Sequence, residues 1–195
     1  AVLVASMCQM AEYSNKFWPN LPQLPIILPI LLTLAAVAVI GAINGFMISK
    51  LKMLPFIATY GMSTIVYGIN CLYFAKEPNN SQPIGGIRDD LKFLSTYKLF
   101  GQVSLLVVIA IVAIVVVWFV LNKTVFGKNI YIVGGSPEAA KVSGISVGKI
   151  IMAVFIIESC LVGLAGIMEV ARTGGANSSY GNAYEFDAIS SCVVG

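Results

Sequence analysis

Four long apolar blocks, Pro25 to Ile48, Pro55 to Ala75, Phe100 to Leu121 and Ile150 to Val170, limit what this chain can become. Each is near the ~20 residues that cross a hydrocarbon core of about 30 Å. Inside a bilayer no water reaches backbone N–H and C=O groups, so a helix, which pairs them within one segment, is favoured. The ~10-residue alternation that marks a barrel strand is absent. The expected fold is all-α: a polytopic integral membrane protein, a helical bundle with four spanning helices. Composition agrees, since 58% of the residues are hydrophobic and 11% charged, against roughly 45–50% and about 25% in a soluble domain.

The opening run Ala1 to Met10 is too short to span and has no basic segment before it, so it reads as the last part of a longer helix. Phe186 to Gly195 begins another apolar run. Residues 1–195 are therefore expected to form one partial transmembrane domain, cut at both ends. Cys8, Cys71, Cys160 and Cys192 lie in or beside apolar runs without C-x-x-C spacing, which favours buried reduced thiols. The chain has no histidine, the commonest metal ligand and proton shuttle. No metal, cofactor or nucleic acid is expected.

The connections run over Ala11 to Leu24, Ser49 to Leu54, Lys76 to Leu99, Asn122 to Lys149 and Ala171 to Glu185. Alternation puts the second and fourth on one side and the others opposite. Lys and Arg are shared equally between the sides, six each. Lys50, Lys52, Lys123 and Lys149 nevertheless hug helix ends, which places Ser49 to Leu54 and Asn122 to Lys149 in the cytoplasm. Gly41 and Gly45 form a G-x-x-x-G, and Ser159, Gly163 and Gly166 give the last full span a small-residue face. Both patterns allow close helix packing, although glycine is also simply frequent in membrane helices.

In the second block Tyr60, Ser63, Tyr67, Asn70 and Phe74 recur at spacings of three and four, with Thr64 and Tyr73 beside them, so they share one helix face. Such a polar and aromatic stripe fits a water-filled path, and equally fits interhelical hydrogen bonding in a dry bundle. Glu158 and Glu169 lie in the last block, where a carboxylate is costly enough to count as a functional candidate. Their spacing is close to three turns, so they face the same way. Glu169 is placed to pair with Arg172. For Glu158 three readings stand: a neutral buried acid, a partner for a basic residue outside this sequence, or a gate.

Gly144-Ile145-Ser146-Val147-Gly148 has the spacing of a nucleophile elbow, but that motif needs a strand, a turn, a helix and a His base. The glycine-rich approach to Lys141 lacks the second Gly and the Ser or Thr of a phosphate-binding loop, so the chain does not itself bind ATP. What the 123–149 loop does hold is a short capped helix. Ser136 suits the N-cap, Pro137 the first turn, Glu138 the positive helix end and Gly144 a left-handed stop. A helix this short needs a partner surface, on its own protein or on another. Ala139 and Ala140 would let that surface approach, and the helix is expected to bury little within this chain.

The run Lys123 to Gly148 resembles the cytoplasmic coupling loop of permeases in the ribose and galactose branch of binding-protein-dependent ABC importers, with its T-x-F-G-x-N-x-Y-x-x-G-G-x-P-E-A-A-x-x-S-G-I pattern. Ile43-Asn44-Gly45 through Pro55-Phe56-Ile57-Ala58-Thr59 is similar to that family's I-N-G…P-F-I-x-T-L-G segment, and Tyr184-Glu185-Phe186-Asp187-Ala188-Ile189 to its Y-E-L-D-A-I segment. Within the branch, Tyr67-Gly68-Ile69-Asn70 and the overall spacing are most similar to the galactose and methyl-galactoside permeases. Ser136 replaces the family's Asn, Tyr60 its Leu, and Ser190-Ser191 its Ala-Ala.

The resemblance implies a transport subunit, not an enzyme, in the bacterial inner membrane. Two permease copies would enclose a path for a simple sugar, with Tyr60, Ser63, Tyr67 and Asn70 lining it. A periplasmic or lipid-anchored sugar-binding protein would deliver the cargo. ABC ATPase subunits would dock on the coupling helix formed by Ser136, Pro137, Glu138, Ala139, Ala140, Lys141, Val142, Ser143 and Gly144. The alternatives are a sister permease for nucleosides or another small solute, an ion-coupled secondary transporter using Glu158, and a membrane-embedded hydrolase.

Overall fold

The computed structural model describes residues 1–10, 12, 16–19, 24–77, 79–99 and 102–194. Its elements in chain order are α1 (Val2–Met7), α2 (Ile27–Ser49), α3 (Pro55–Ala75), α4 (Asp89–Thr96), β1 (Lys98–Leu99), β2 (Val103–Ser104), α5 (Leu105–Lys123), α6 (Val125–Gly135), α7 (Pro137–Val142), α8 (Val147–Thr173) and α9 (Tyr184–Val194). Phe100, Gly195 and most of the predicted connection Ala11 to Leu24 lie outside the described residues.

α2 and α8 form the central antiparallel pair. A Cβ on Gly41 would sit 2.6 Å from the Phe155 carbonyl oxygen, one on Gly45 2.8 Å from Met152 Cα, and one on Gly163 2.7 Å from a Val37 methyl. Gly41 and Gly45 are therefore required by backbone approach and Gly163 by the Val37 side chain packed on it, since lipid gives membrane helices little hydrophobic reason to associate and close packing must hold them. Gly166 instead faces Ala1. At the start of α2, Pro29 falls in the first turn, where its missing N–H is no loss, and its carbonyl accepts from Thr33 Oγ1 at 2.8 Å.

Among the described residues, three helices are long and apolar enough to cross a membrane: α2, α5 and α8. The fourth predicted span, α3, has the length at 21 residues, but its tyrosines, Ser63, Thr64 and Asn70 dilute its apolar character. α5 starts at Leu105, later than the expected Phe100, because Lys98 and Leu99 pair antiparallel with Ser104 and Val103. Ser104 then caps α5, its Oγ accepting from Leu106 N. No residue of α5 is buried by the rest of the chain, as a lipid-facing helix requires.

The two ends of the α2–α8 pair carry different connections. At one end Ser49 Cβ lies 3.7 Å from the place a Gly148 Cβ would take, so the 49–54 and 122–149 connections lie together. At the other, backbone bridges join Gln9 to Ile87 and Ile84 to Ala176. The predicted alternation of sides therefore holds between the ends of this pair. The second end is a built cap: Val4, Cys8, Phe17, Ile84, Ile87, Leu91, Val170 and Ala176 form one buried cluster. Phe74, assigned to the α3 stripe from its spacing, belongs to this cluster. Gln9 ties the cap internally, its Nε2 donating to Gly85 O at 3.0 Å and its Oε1 accepting from Phe17 N at 2.6 Å.

The 122–149 connection holds two helices where one was expected. Thr124 caps the extra one, α6, its hydroxyl oxygen accepting from Gly127 N at 3.1 Å. Since Thr124 follows Lys123 directly, α5 ends and α6 begins across a single residue.

Candidate functional site

Tyr60, Ser63, Tyr67 and Asn70 come together on one wall of a cavity of about 750 Å³. Thr33, Val37 and Ile40 of α2, the start of α1 and the 178–186 segment line the rest of this half-open space. The i, i+3, i+7 and i+10 spacing of a regular helix puts the four α3 side chains into this space. Pro55 starts that helix at its first position, where a fixed φ is preorganised for helix and no N–H is needed.

The hydrogen bonds along this wall divide its polar groups into two kinds. Ser63 Oγ donates to Tyr60 O at 2.7 Å and Thr64 Oγ1 to the same oxygen at 3.1 Å, so both hydroxyl protons are held by their own helix. Asn70 Nδ2 donates to Ser178 O at 3.3 Å, joining α3 to the segment that leads into α9. Tyr73 turns toward the cap, where its hydroxyl meets Ser6 Oγ at 2.7 Å and accepts from Trp18 Nε1 at 3.1 Å while its ring stacks on Phe17. Tyr60 and Tyr67 remain 57% and 45% exposed, the latter in the middle of α3. They offer the cavity ring faces and phenol groups.

Periodicity within α3 could not reveal the other lining groups. Tyr180, Asn182, Glu185 and Phe186 reach the cavity from a turn and helix more than a hundred residues later. Gly181 and Ala183 there have φ of +86° and +69°. Left-handed residues at both places turn the chain into α9. The sequence signal was present in the Tyr184 to Ile189 motif, but nothing local pairs it with α3.

At the opposite end, α7 has the predicted caps. Ser136 Oγ accepts from Ala139 N at 3.2 Å, Pro137 opens the helix, Glu138 lies in its first turn and Lys141 in its last. Ser143 is the C-cap, and Gly144 follows at φ +77°. The expectation that this helix buries little in its own chain needs correction at one residue. Ala140 is completely buried, while Ala139, Lys141 and Val142 are exposed, Val142 to 91%. Ala140 N donates to Ser136 O within the helix, and Ile145 N to Ala140 O, which closes the helix end across the left-handed Gly144. The free face is formed by Glu138, Ala139, Lys141 and Val142. Ser146 of the nucleophile-like motif lies at the N-cap of α8, between two helices, which removes the strand the elbow requires.

Glu169 pairs with Arg172, Oε1 to Nη2 at 3.0 Å. Glu158 is on the exposed face of α8 beside Ile157 and Val162. No other segment of this chain covers it. All four cysteines are free, with Cys8 buried in the cap and Cys192 exposed on α9.

Residues 1–195 match the family model described as branched-chain amino acid transport system / permease component. Over its whole length the chain is 40% identical to the galactose/methyl galactoside import permease proteins of Haemophilus influenzae and Escherichia coli, covering 58% of each. It is 33% identical to the ribose import permease protein of Bacillus subtilis, over 78% of this chain and 46% of that one. The chain thus spans less than two thirds of the length of these relatives. No solved structure matches it.

Proposed function

We propose, on the premise that this chain belongs to the branched-chain amino acid transport system / permease component family, that it is the membrane-spanning part of an ATP-driven importer for a simple sugar. The protein is a multi-pass component of the bacterial inner membrane. The observation that carries the cargo assignment is the cavity between α2, α3 and the 178–186 segment, whose lining mixes tyrosine rings with amide and carboxylate groups. Ring faces cover the C–H surfaces of a sugar, and a few placed polar groups meet its hydroxyls. Relatives named as galactose and ribose import permeases support the same class.

The partners follow from the two ends of the molecule. An ATPase subunit docks on the free face of α7 from the cytoplasm and does the hydrolysis. A binding protein delivers sugar to the capped end outside. A second permease copy completes the path. Nucleotide binding then shifts the population between inward-facing and outward-facing arrangements.

Reconstitution of the full-length permease with its ATPase in liposomes tests this reading. Loaded binding protein should drive accumulation of radiolabelled methyl galactoside only when ATP is present. Accumulation driven by a proton gradient without ATP would move the assignment to a secondary transporter.

A further inference from the structure

Glu185 is an exposed residue that lines the cavity, and neither a hydrogen bond nor an ion pair ties its side chain to any described residue. The same space is lined by Tyr60, Tyr67 and Asn70 of α3 and by Asn182 and Phe186. The other polar groups are partly committed: Ser63 and Thr64 to Tyr60 O, and the Asn70 amide to Ser178 O. Among the described residues no Lys or Arg side chain lines this space.

We propose that Glu185 is a specificity-determining residue of the path, accepting hydroxyl hydrogen bonds from a neutral polyhydroxylated solute. The inference rests on the reading of this cavity as the sugar path. A carboxylate has two oxygens and is an acceptor only, which suits a pair of neighbouring hydroxyl donors. Charge-assisted bonds of this type are about twice as strong as neutral ones. The same charge disfavours anionic solutes.

Glu185 also lies in the first turn of α9, where any acid complements the helix end. Asp187 shares that turn and does not line the cavity, so it separates the two roles. The experiment uses the complete importer in liposomes with binding protein loaded with radiolabelled methyl galactoside. E185Q should lower the uptake rate about tenfold, the difference between a charged and a neutral acceptor. D187N should keep it, and ATP hydrolysis stimulated by the binding protein should continue in both. E185D, which keeps the charge, should transport better than E185Q. Equal losses in E185Q and D187N, or no loss in E185Q, would overturn the role of Glu185. A single cysteine at Tyr67 in a cysteine-free background distinguishes the deeper failure. If modifying it with a bulky thiol reagent blocks uptake while E185Q is normal, the path stands and the inference alone fails; if modification leaves uptake intact, the path reading falls with it.

Discussion

Gly41 of α2 lies against Ser159 of α8 so closely that a Cβ at Gly41 would come within 2.5 Å of the serine Oγ. Such a contact leaves no room for a side chain, and the neighbour on α8 includes fixed backbone, the Phe155 carbonyl. Gly41→Val should therefore strain the central pair by roughly 1–3 kcal/mol or separate it. Gly68 has open space around its Cβ direction, so Gly68→Val is the control for helix propensity alone. Thermal unfolding of the purified protein in detergent should show a clear loss for Gly41→Val and a small change for Gly68→Val.

The inward turn of Ala140 decides which substitution tests α7 as the ATPase contact. Ala140→Arg would force a long cation into a completely buried position and disturb the permease itself. Val142→Asp changes an exposed side chain. It should leave membrane insertion and amount normal while reducing both co-purification with the ATPase and sugar uptake by tenfold or more. Normal values of both would remove α7 from the coupling contact.

Gly144→Val acts by a different route. A β-branched residue is badly strained at φ +77°, so the direction in which the chain leaves α7 for α8 must change. Lower uptake is expected even with normal ATPase binding, measured on the same preparations.

Sidedness is open to direct chemistry. Ser81, in the connection after α3, and Lys128, on α6, are both exposed. With single cysteines at these positions in a cysteine-free background, an impermeant thiol reagent added to whole cells should label position 81 and spare 128. The reverse pattern would invert the topology and place α7 outside the reach of any cytoplasmic ATPase.

Tyr67→Phe and Asn70→Leu are not equivalent probes of the path. Asn70 holds Ser178 O, and losing that bond should cost about 1 kcal/mol of stability. Tyr67→Phe removes one phenol oxygen from the cavity and keeps the ring. Reduced uptake with unchanged thermal stability is the expected result for Tyr67→Phe; unchanged uptake would make the stripe packing rather than path.

Features written in local sequence were legible in advance. The caps of α7 depend on Ser136, Pro137 and Gly144 alone, and the α3 stripe depends on spacing within one helix. Glycine packing was legible as a possibility, and only the positions of Phe155, Met152 and Val37 identify its partner surface. Non-local features were hidden. Ala139 and Ala140 have the same side chain, so nothing in the pair says which turns inward. Phe74 fits the stripe by angle but falls at the cap, and Glu185 joins the cavity through a turn whose φ values no periodicity reports.

Where the capped end is joined, main-chain groups make the seam: Met10 N donates to Gly86 O, Arg88 N to Cys8 O, and Ile84 and Ala176 exchange both bonds. Peptide groups are the same in every residue, so these bonds select no side chain; the selection comes from the cluster behind them, where Cys8, Ile84 and Ala176 are buried. Proline is barred at 10, 84, 88 and 176, because each of those residues must donate an N–H.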